Sequence, residues 1–216
     1  MFTLHILSLF PESIKPYLET SIMKRAQDKG LFRYFVYNLT DWTVRNTRRV
    51  DDNPYGGGAG TILTIEPLAH ALRDLREEHG TMEIIYFSPR GELHNQRLAE
   101  EYSWKAGNYC IICGHYEGID ERIFSLFNIR QISIGEYILS SWELASLIWI
   151  DSVVRHIPGV ISDASLREES FSEALGGKKE YAQYSRPEIF EWISVPEILL
   201  SGDQKKIKAY NHSHTH

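Results

Sequence analysis

The chain has 216 residues, of which 43% are hydrophobic and 24% charged, with a formal net charge of −6 at pH 7. This composition indicates a folded protein with a sizeable core and leaves little room for long disorder. The negative charge excludes a surface that is basic throughout, so contact with nucleic acid would depend on local basic patches. The N-terminal stretch MFTLHILSLFPES has no basic leader, and we expect a cytoplasmic protein without an export signal or membrane span.

Alternating segments along the chain predict strands and helices. The strands are expected in short runs rich in β-branched or aromatic residues, at Thr3–Leu9, Arg33–Asn38, Glu83–Phe87, Asn108–Ile112 and Ile129–Ile134. Helical spacing begins near Pro67 and ends at Gly80, recurs within Gly91–Ala106, and fills SWELASLIWIDSVVRHIPG before Pro158. This order predicts an α/β domain over residues 1–160, with a mainly parallel sheet flanked by helices.

The sequence becomes polar after Gly159, and Gly176 and Gly177 stand together within this polar stretch. We interpret residues 161–186 as a flexible interdomain linker. Residues 187–216 are expected to form a short helical C-terminal domain. Its last residues, NHSHTH, are predicted to be a disordered terminus rather than a metal-binding tract.

The stretch DDNPYGGGAGT, residues 51–61, contains four glycines and suggests a loop that binds phosphate. Such a loop in a nucleotide hydrolase needs a lysine and a serine or threonine after the glycines, and neither is present. The glycine spacing also differs from that of a dinucleotide-binding turn. On the residues alone, a tight turn with positive φ explains the stretch as well as a binding loop does.

Cys110 and Cys113 form a C-x-x-C pair, which occurs in zinc and thiol redox sites. A structural zinc ion needs four ligands, and the sequence offers no second pair. The residues between the cysteines, Ile111 and Ile112, are typical of a buried strand. We therefore assign no metal-binding residue to this chain.

Seven motifs occur in order from about Ile6 to about Ile207. They are SLFPES, DDNPYGGGAG, YFSPRGE, CGHYEGIDER, ISIGEYILSSWELA, IDSVVRHIPGV, and YSRP followed by VPEILLSGD. Together they resemble the bacterial tRNA (guanine-N1)-methyltransferases of the SPOUT class. Those enzymes methylate the guanine on the 3′ side of the anticodon, at position 37. The resemblance implies the same activity here, and a trefoil knot at the C-terminal side of the α/β domain.

S-adenosylmethionine is the methyl donor that the resemblance implies, and the knot is where it would bind. The family's donor-binding positions fall here on Tyr86, Ser88, Pro89, Gly114, Tyr116, Glu117, Gly118, Ser133, Ile134, Gly135, Tyr137, Ile138 and Leu139. Glycines let the backbone approach the donor, and Glu117 offers a carboxylate to its cationic end. Without the resemblance, the residues of CGHYEGIDER favour a strand end with a turn at Gly118 and a helix cap at Asp120 over a binding site.

Methylation of guanine N1 needs a base for the N1 proton and a cation for the charge that develops on O6. The resemblance assigns the cation to Arg155 and the base to Glu169, which stands where the family has aspartate. It places Asp51, Gly58, Gly60 and Ser170 on the substrate side. On the residues alone, Arg155 is equally a helix-end arginine that interacts with the helix dipole, and Ser165–Glu168 is equally a capping box.

Two partners follow from the resemblance, tRNA and a second copy of the chain. The family forms an obligate homodimer with active sites at the interface. The basic residues that would contact tRNA are Lys24, Arg25, Arg45, Arg48, Arg49, Lys178, Lys179 and Arg186. The family's reaction depends on Mg²⁺, for which the sequence shows no protein ligands.

Four departures from the family bear on activity. Ser141 and Trp142 replace a glycine pair beside the methionine end of the donor, His115 replaces arginine, Glu169 lies in a lengthened linker, and the C-terminal domain is short. Trp142 would narrow the donor site if it faces inward, or enlarge the dimer contact if it faces outward. A second hypothesis therefore stays open: a catalytically impaired dimer of the same fold that binds S-adenosylmethionine or RNA.

Overall fold

A computed structural model describes residues 1–215 of the chain. It shows two compact units, Met1–Ile161 and a second that begins at Ser162. The strands of the first unit are β1 (Phe2–Ser8), β2 (Phe32–Asn38), β3 (Asp51–Asp52), β4 (Ile62–Leu63), β5 (Glu83–Leu93), β6 (Gly107–Ile112) and β7 (Ile129–Ser133). The α-helices of this unit are α1 (Lys15–Leu18), α2 (Ser21–Asp28), α3 (Ile65–His79), α4 (Gln96–Ser103), α5 (Ile123–Leu126) and α6 (Trp142–Val154).

A parallel sheet organises the first unit, with the strand order β2-β1-β6-β5-β7. In its register, Ile85 of β5 lies opposite Ile111 of β6 and Arg130 of β7. Helices α2, α4 and α6 pack on one face, and α3 and α5 pack on the other. Every residue of β1 is therefore buried, as expected for a strand covered on both faces. This arrangement confirms the predicted α/β fold with a mainly parallel sheet.

Strand β5 is longer than predicted. It continues past Phe87 to Leu93, and its pairing with β7 shifts register between Phe87 and Glu92. A Cβ atom on Gly91 would lie 2.4 Å from the backbone nitrogen of Ile132, so only glycine allows the two chains to approach this closely. The helix predicted within Gly91–Ala106 is accordingly the shorter α4, which Asn95 caps through a hydrogen bond from the Leu98 amide.

Helix α6 is apolar on more than one face. Trp149, Ile150 and Val153 are fully buried in the core, as helical spacing predicts. On the other side, Leu144 is 49% exposed and Ile148 is 38% exposed. Residues four apart lie on the same side of a helix, so these two leave an apolar stripe on the surface of the first unit.

The second unit consists of short elements. They are α7 (Asp163–Arg167), a 3₁₀ turn (Glu173–Leu175), a hairpin of β8 (Ile189–Phe190) and β9 (Ile193–Ser194), α8 (Glu197–Leu200) and α9 (Gln204–Ser213). The N-cap of α7 is Ser162, whose hydroxyl accepts from the Ser165 amide, so a capping box at Ser165–Glu168 is wrong. The flexibility proposed for residues 161–186 stays a prediction.

The histidine-rich tail is partly helical. Asp203 caps α9 by accepting from the Lys205 and Lys206 amides, and the helix continues through Ser213. The predicted disorder of NHSHTH is therefore wrong for residues 211–213, and His216 lies outside the described residues. Among residues 1–215, no helix has the length and apolar character needed to cross a membrane.

Candidate functional site

A cavity of about 500 Å³ lies at the carboxyl ends of β6 and β7 in the first unit. Ligands of α/β proteins commonly bind at this edge of a parallel sheet. The lining residues are Phe87, Ser88, Pro89, Tyr116, Glu117, Ser133, Ile134, Gly135, Tyr137, Ile138, Leu139, Ser140, Ser141, Trp142 and Ala145. Apolar walls with a few hydroxyls and one carboxylate suit an organic ligand that carries a positive charge.

Most of the proposed donor-binding residues lie on this wall, and three do not. Tyr86, Gly114 and Gly118 stand behind it, where the Tyr86 ring lies 3.0 Å from the position of a Cβ on Gly114. Burial raises the pKa of Tyr86 to about 12. The sequence did not indicate Phe87, Ser140 or Ala145, since a buried strand residue and two small residues carry no chemical signature.

Trp142 faces inward and forms part of the cavity wall. Its indole Nε1 donates to the backbone oxygen of Phe87 at 2.7 Å, which ties the start of α6 to β5. Two indole atoms lie 3.0 Å from the position of a Cβ on Gly114. The indole therefore fills space that glycine at position 114 leaves, and a cavity of about 500 Å³ remains beside it.

The loop after β7 is folded tightly at the cavity. Gly135 has φ +147°, and a Cβ there would lie 2.3 Å from the Tyr137 ring. The Tyr137 hydroxyl donates to the Ile134 oxygen at 3.1 Å, and the Ser133 hydroxyl donates to the Gly135 oxygen at 3.2 Å. Ile138, at the rim, is 81% exposed. Glycine is thus required at position 135 because the backbone has a positive φ and because the Tyr137 ring occupies the position of a Cβ.

The glycine stretch contacts the same cavity wall. Gly60 has φ +82°, and a Cβ on it would lie 2.9 Å from Glu117 Cγ and Oε1. The Glu117 amide donates to the Thr61 oxygen at 3.0 Å, and Ile62 pairs with Tyr116. Glycine at position 60 therefore allows both the positive φ of the backbone and the close approach of the Glu117 side chain. Gly58 is exposed, with φ +141°.

Asp51 is held by Arg49, whose Nε and Nη2 donate to its two carboxylate oxygens at 3.1 and 3.2 Å. Burial acts to raise the pKa of Asp51, but hydrogen bonds from Arg49 and Thr61 and the Arg49 charge outweigh it. The pKa of Asp51 therefore lies below its usual value. This carboxylate is ionised near neutral pH and can act as a hydrogen-bond acceptor.

His115 lies between two aromatic rings, tilted against one and edge-on to the other. Its imidazole centre lies 5.0 Å from that of Phe10 and 4.5 Å from that of Tyr116. Its Nδ1 is buried and has no hydrogen-bond partner among residues 1–215. Tyr116 itself has φ +59°, so this wall of the cavity carries backbone strain.

The two proposed catalytic residues belong to different units. Arg155 is the C-cap residue of α6, is half-buried, and has Nη1 3.4 Å from His156 Nε2. Glu169 is half-buried in the second unit, and its backbone oxygen accepts from the Ser172 amide at 3.1 Å. The Ser170 hydroxyl accepts from the Glu180 amide at 3.0 Å, which closes the loop between them.

Several proposed RNA-binding cations already contact carboxylates. The pairs are Lys24–Asp28, Arg45–Asp52, Arg48–Asp41 and Arg49–Asp51. Exposed ion pairs contribute only about 0–1 kcal/mol, so RNA phosphates can compete with these carboxylates for the cations. Whether the cations contact RNA stays a prediction.

The cysteines are free thiols in the core. Both are fully buried, and burial raises the pKa of Cys110 to about 12. A thiol that stays protonated is a poor nucleophile and a poor metal ligand. Within residues 1–215, no group of three or more His, Cys, Asp or Glu side chains is placed to hold a metal ion.

Known proteins similar to this chain are described as tRNA methyltransferases. The family model for tRNA (Guanine-1)-methyltransferase TrmD matches residues 2–216. The tRNA (guanine-N(1)-)-methyltransferase of Dictyoglomus turgidum is 47% identical over 97% of this chain and 83% of its own length. That of Clostridioides difficile is 45% identical over 94% of this chain and 87% of its own length. None of these descriptions favours the binding-protein hypothesis.

A solved structure agrees with the family match. The crystal structure of tRNA (m1G37) methyltransferase from Aquifex aeolicus superposes with a TM-score of 0.81 and 35% sequence identity. The match covers 99% of this chain and 88% of that one. With the motifs in order, the parallel sheet and the cavity at its carboxyl edge, the chain belongs to the tRNA (guanine-1)-methyltransferase TrmD family.

Proposed function

We propose that this tRNA (guanine-N1)-methyltransferase binds S-adenosylmethionine in the cavity of its first unit and methylates N1 of the guanine 3′ of the anticodon. The observation that carries the proposal is the cavity itself. Its lining joins residues from three separate family motifs, among them Ser88, Tyr116 and Ile138. These motifs lie far apart in the sequence, so their convergence on one cavity supports a shared ligand.

The residues present fit the methyl donor. Glu117 places a carboxylate at the wall, which suits the donor's ammonium or sulfonium charge. A Cβ on Gly135 would collide with the Tyr137 ring, so the backbone itself lines the cavity at this position, while Gly114 leaves space for the Trp142 indole behind the wall. Ile134, Ile138 and Leu139 offer an apolar surface to the adenine ring. When bound, S-adenosylmethionine supplies a methyl group on a positively charged sulfur.

The acceptor chemistry is assigned to three side chains. Glu169 takes the proton from guanine N1, and Arg155 stabilises the negative charge that develops on O6. The ionised Asp51 accepts a hydrogen bond from the guanine edge, since guanine presents N–H groups there. Ser170, Gly58 and Gly60 shape the space for the base. Glutamate at position 169 is competent as a base, with one methylene more than aspartate.

A homodimer is proposed from the apolar surface of the first unit. Leu144 and Ile148 form the exposed stripe of α6, and Phe10 is 39% exposed. A second copy of the chain would cover such a stripe and bring another chain's linker to the cavity. The trefoil knot is also a proposal, which the close passage of Gly91 against Ile132 supports. Action on tRNA implies a cytoplasmic location.

The proposal predicts methyl transfer by the purified protein. Labelled S-adenosylmethionine and a tRNA with guanine 3′ of the anticodon are the substrates, and Arg155→Ala and Glu169→Ala are expected to lose about a hundredfold or more in rate. Glu168→Ala, at the exposed neighbouring carboxylate, is the matched control and should keep its rate. Donor binding by calorimetry without any transfer would favour the binding-protein hypothesis instead. Transfer before and after EDTA tests the Mg²⁺ dependence that the family implies.

A further inference from the structure

Glu143 is a buried carboxylate next to the cavity. It lies in the first turn of α6 and is only 2% exposed. Glutamate is almost never fully buried unless its charge is compensated. Among residues 1–215, no Lys, Arg or His forms an ion pair with it. The first turn of a helix partly compensates a negative charge, so the remaining stabilisation must come from hydrogen bonds.

Two hydroxyl groups donate to this carboxylate. Ser8, the last residue of β1, donates to Oε1 at 2.6 Å, and Ser141 donates to Oε2 at 2.7 Å. The Phe10 amide in turn donates to the Ser8 hydroxyl at 2.8 Å, which directs the Ser8 proton towards Glu143. Both oxygens therefore have short, charge-assisted hydrogen bonds.

The network connects separate parts of the cavity wall. Ser141 lines the cavity directly, between Ser140 and Trp142. The backbone oxygen of Glu143 accepts from the Ser146 hydroxyl at 2.7 Å, and Cys113 at the end of β6 donates to that hydroxyl at 3.6 Å. One buried side chain thus joins the end of β1 to the loop that forms the cavity wall.

Packing alone does not account for a charge at this position. An apolar side chain of similar volume would fill the same space without the desolvation cost of an ion. The carboxylate is instead the group that holds the Ser141 hydroxyl in one orientation. Wall residues held before the ligand arrives lower the entropy lost on binding.

We infer that Glu143 is a positioning residue that fixes the Ser140–Trp142 wall and so preorganises the cavity for S-adenosylmethionine. The inference rests on the proposed function, since it assumes that the donor binds in this cavity. It does not require Glu143 to touch the donor. Its effect is expected in donor affinity, while affinity for tRNA should be unchanged.

Two variants and one control test this inference. Glu143→Gln is expected to raise the donor Kd about tenfold by calorimetry, and Ser141→Ala about threefold, because one of the two hydrogen bonds is lost. The KM for the donor should rise in proportion, with the KM for tRNA unchanged. Glu83→Gln is the control, because Glu83 accepts from the Tyr102 hydroxyl at 2.6 Å at the far end of β5. This control should lower the melting temperature without changing the donor Kd.

A folded Glu143→Gln with a lower melting temperature and an unchanged donor Kd would overturn the inference, because the role would then be structural alone. If Glu143→Gln does not fold, Ser141→Ala decides, and an unchanged donor Kd in that variant overturns it equally. An equal rise in the KM for tRNA would also contradict a role confined to the donor side. Absence of donor binding by the unmodified protein would refute the proposed function, and the inference with it.

Discussion

The orientation of Trp142 gives a prediction that combines stability with ligand binding. The indole donates to the oxygen of Phe87, a residue that is only 2% exposed, and its ring fills the space beside Gly114. Trp142→Phe keeps most of the ring but leaves the Phe87 oxygen without this donor, which costs about 1–3 kcal/mol. Trp142→Gly also loses the packing of a half-buried tryptophan, about 3 kcal/mol, and adds about 1 kcal/mol for glycine in a helix.

The expected loss for Trp142→Gly is therefore about 5–7 kcal/mol, a large part of the 5–15 kcal/mol that stabilises a typical domain. Urea unfolding measures this loss directly, and Trp104→Gly, at a tryptophan that is 73% exposed, is the matched control. Calorimetry with S-adenosylmethionine should show weaker binding, because the indole forms part of the wall. A loss below about 1 kcal/mol, or tighter donor binding, would refute the inward, hydrogen-bonded indole.

Three further predictions concern glycine and histidine positions. Gly60→Ala should weaken donor binding by about tenfold or more, because the new Cβ would displace the Glu117 side chain and the backbone φ of +82° is strained for alanine. Calorimetry measures the donor affinity, and an unchanged affinity would contradict the close contact between residue 60 and Glu117. Gly91→Ala should lower the melting temperature by several degrees, since the new Cβ would lie 2.4 Å from the Ile132 nitrogen, and an unaltered melting curve would argue against that close passage. Burial, with the charges of His79 and Arg33, lowers the pKa of His5 to about 4, and burial lowers that of His94 to about 4. The unfolded chain therefore binds protons at these histidines more readily than the folded chain does. Their protonation does not reduce the free energy of unfolding above pH 6.5. It lowers this free energy between pH 6.5 and 4, by about 3 kcal/mol for His5. Urea unfolding across this range measures the fall, and His5→Gln should reduce it to the part that His94 contributes. The same pH dependence in that variant would exclude His5 as a cause.

Strand positions were predictable from the sequence wherever a short apolar run meets turn residues. The residues Tyr109–Ile112 were enough to predict β6, because their side chains alternate between the two buried faces of the sheet. The second half of β5 was not predictable in this way. Ser88–Gly91 are residue types typical of turns, and the strand pairing resumes only at Glu92, which lies opposite Ile132, about forty positions later in the sequence.

In the site too, features set by local residue types were predictable, and features set by contacts between distant residues were not. Family motifs indicated Ser88, Glu117 and Ile138, because residue types matched along the chain. The direction of Trp142 was not predictable, because it depends on the oxygen of Phe87, which is distant in sequence. Helix α9 likewise extends into a tail that looked disordered, since Asp203 caps it and its polar residues still form backbone hydrogen bonds.

The most direct measurement is site-specific methyl transfer. Purified protein, labelled S-adenosylmethionine and a tRNA transcript with guanine 3′ of the anticodon are incubated, and the modified position is mapped by arrest of primer extension. A second transcript with adenine at that position is the control. We expect label in the first transcript alone, with arrest at that guanine. No label in the first transcript, or equal label in both, would contradict the assignment of this chain as a tRNA (guanine-N1)-methyltransferase.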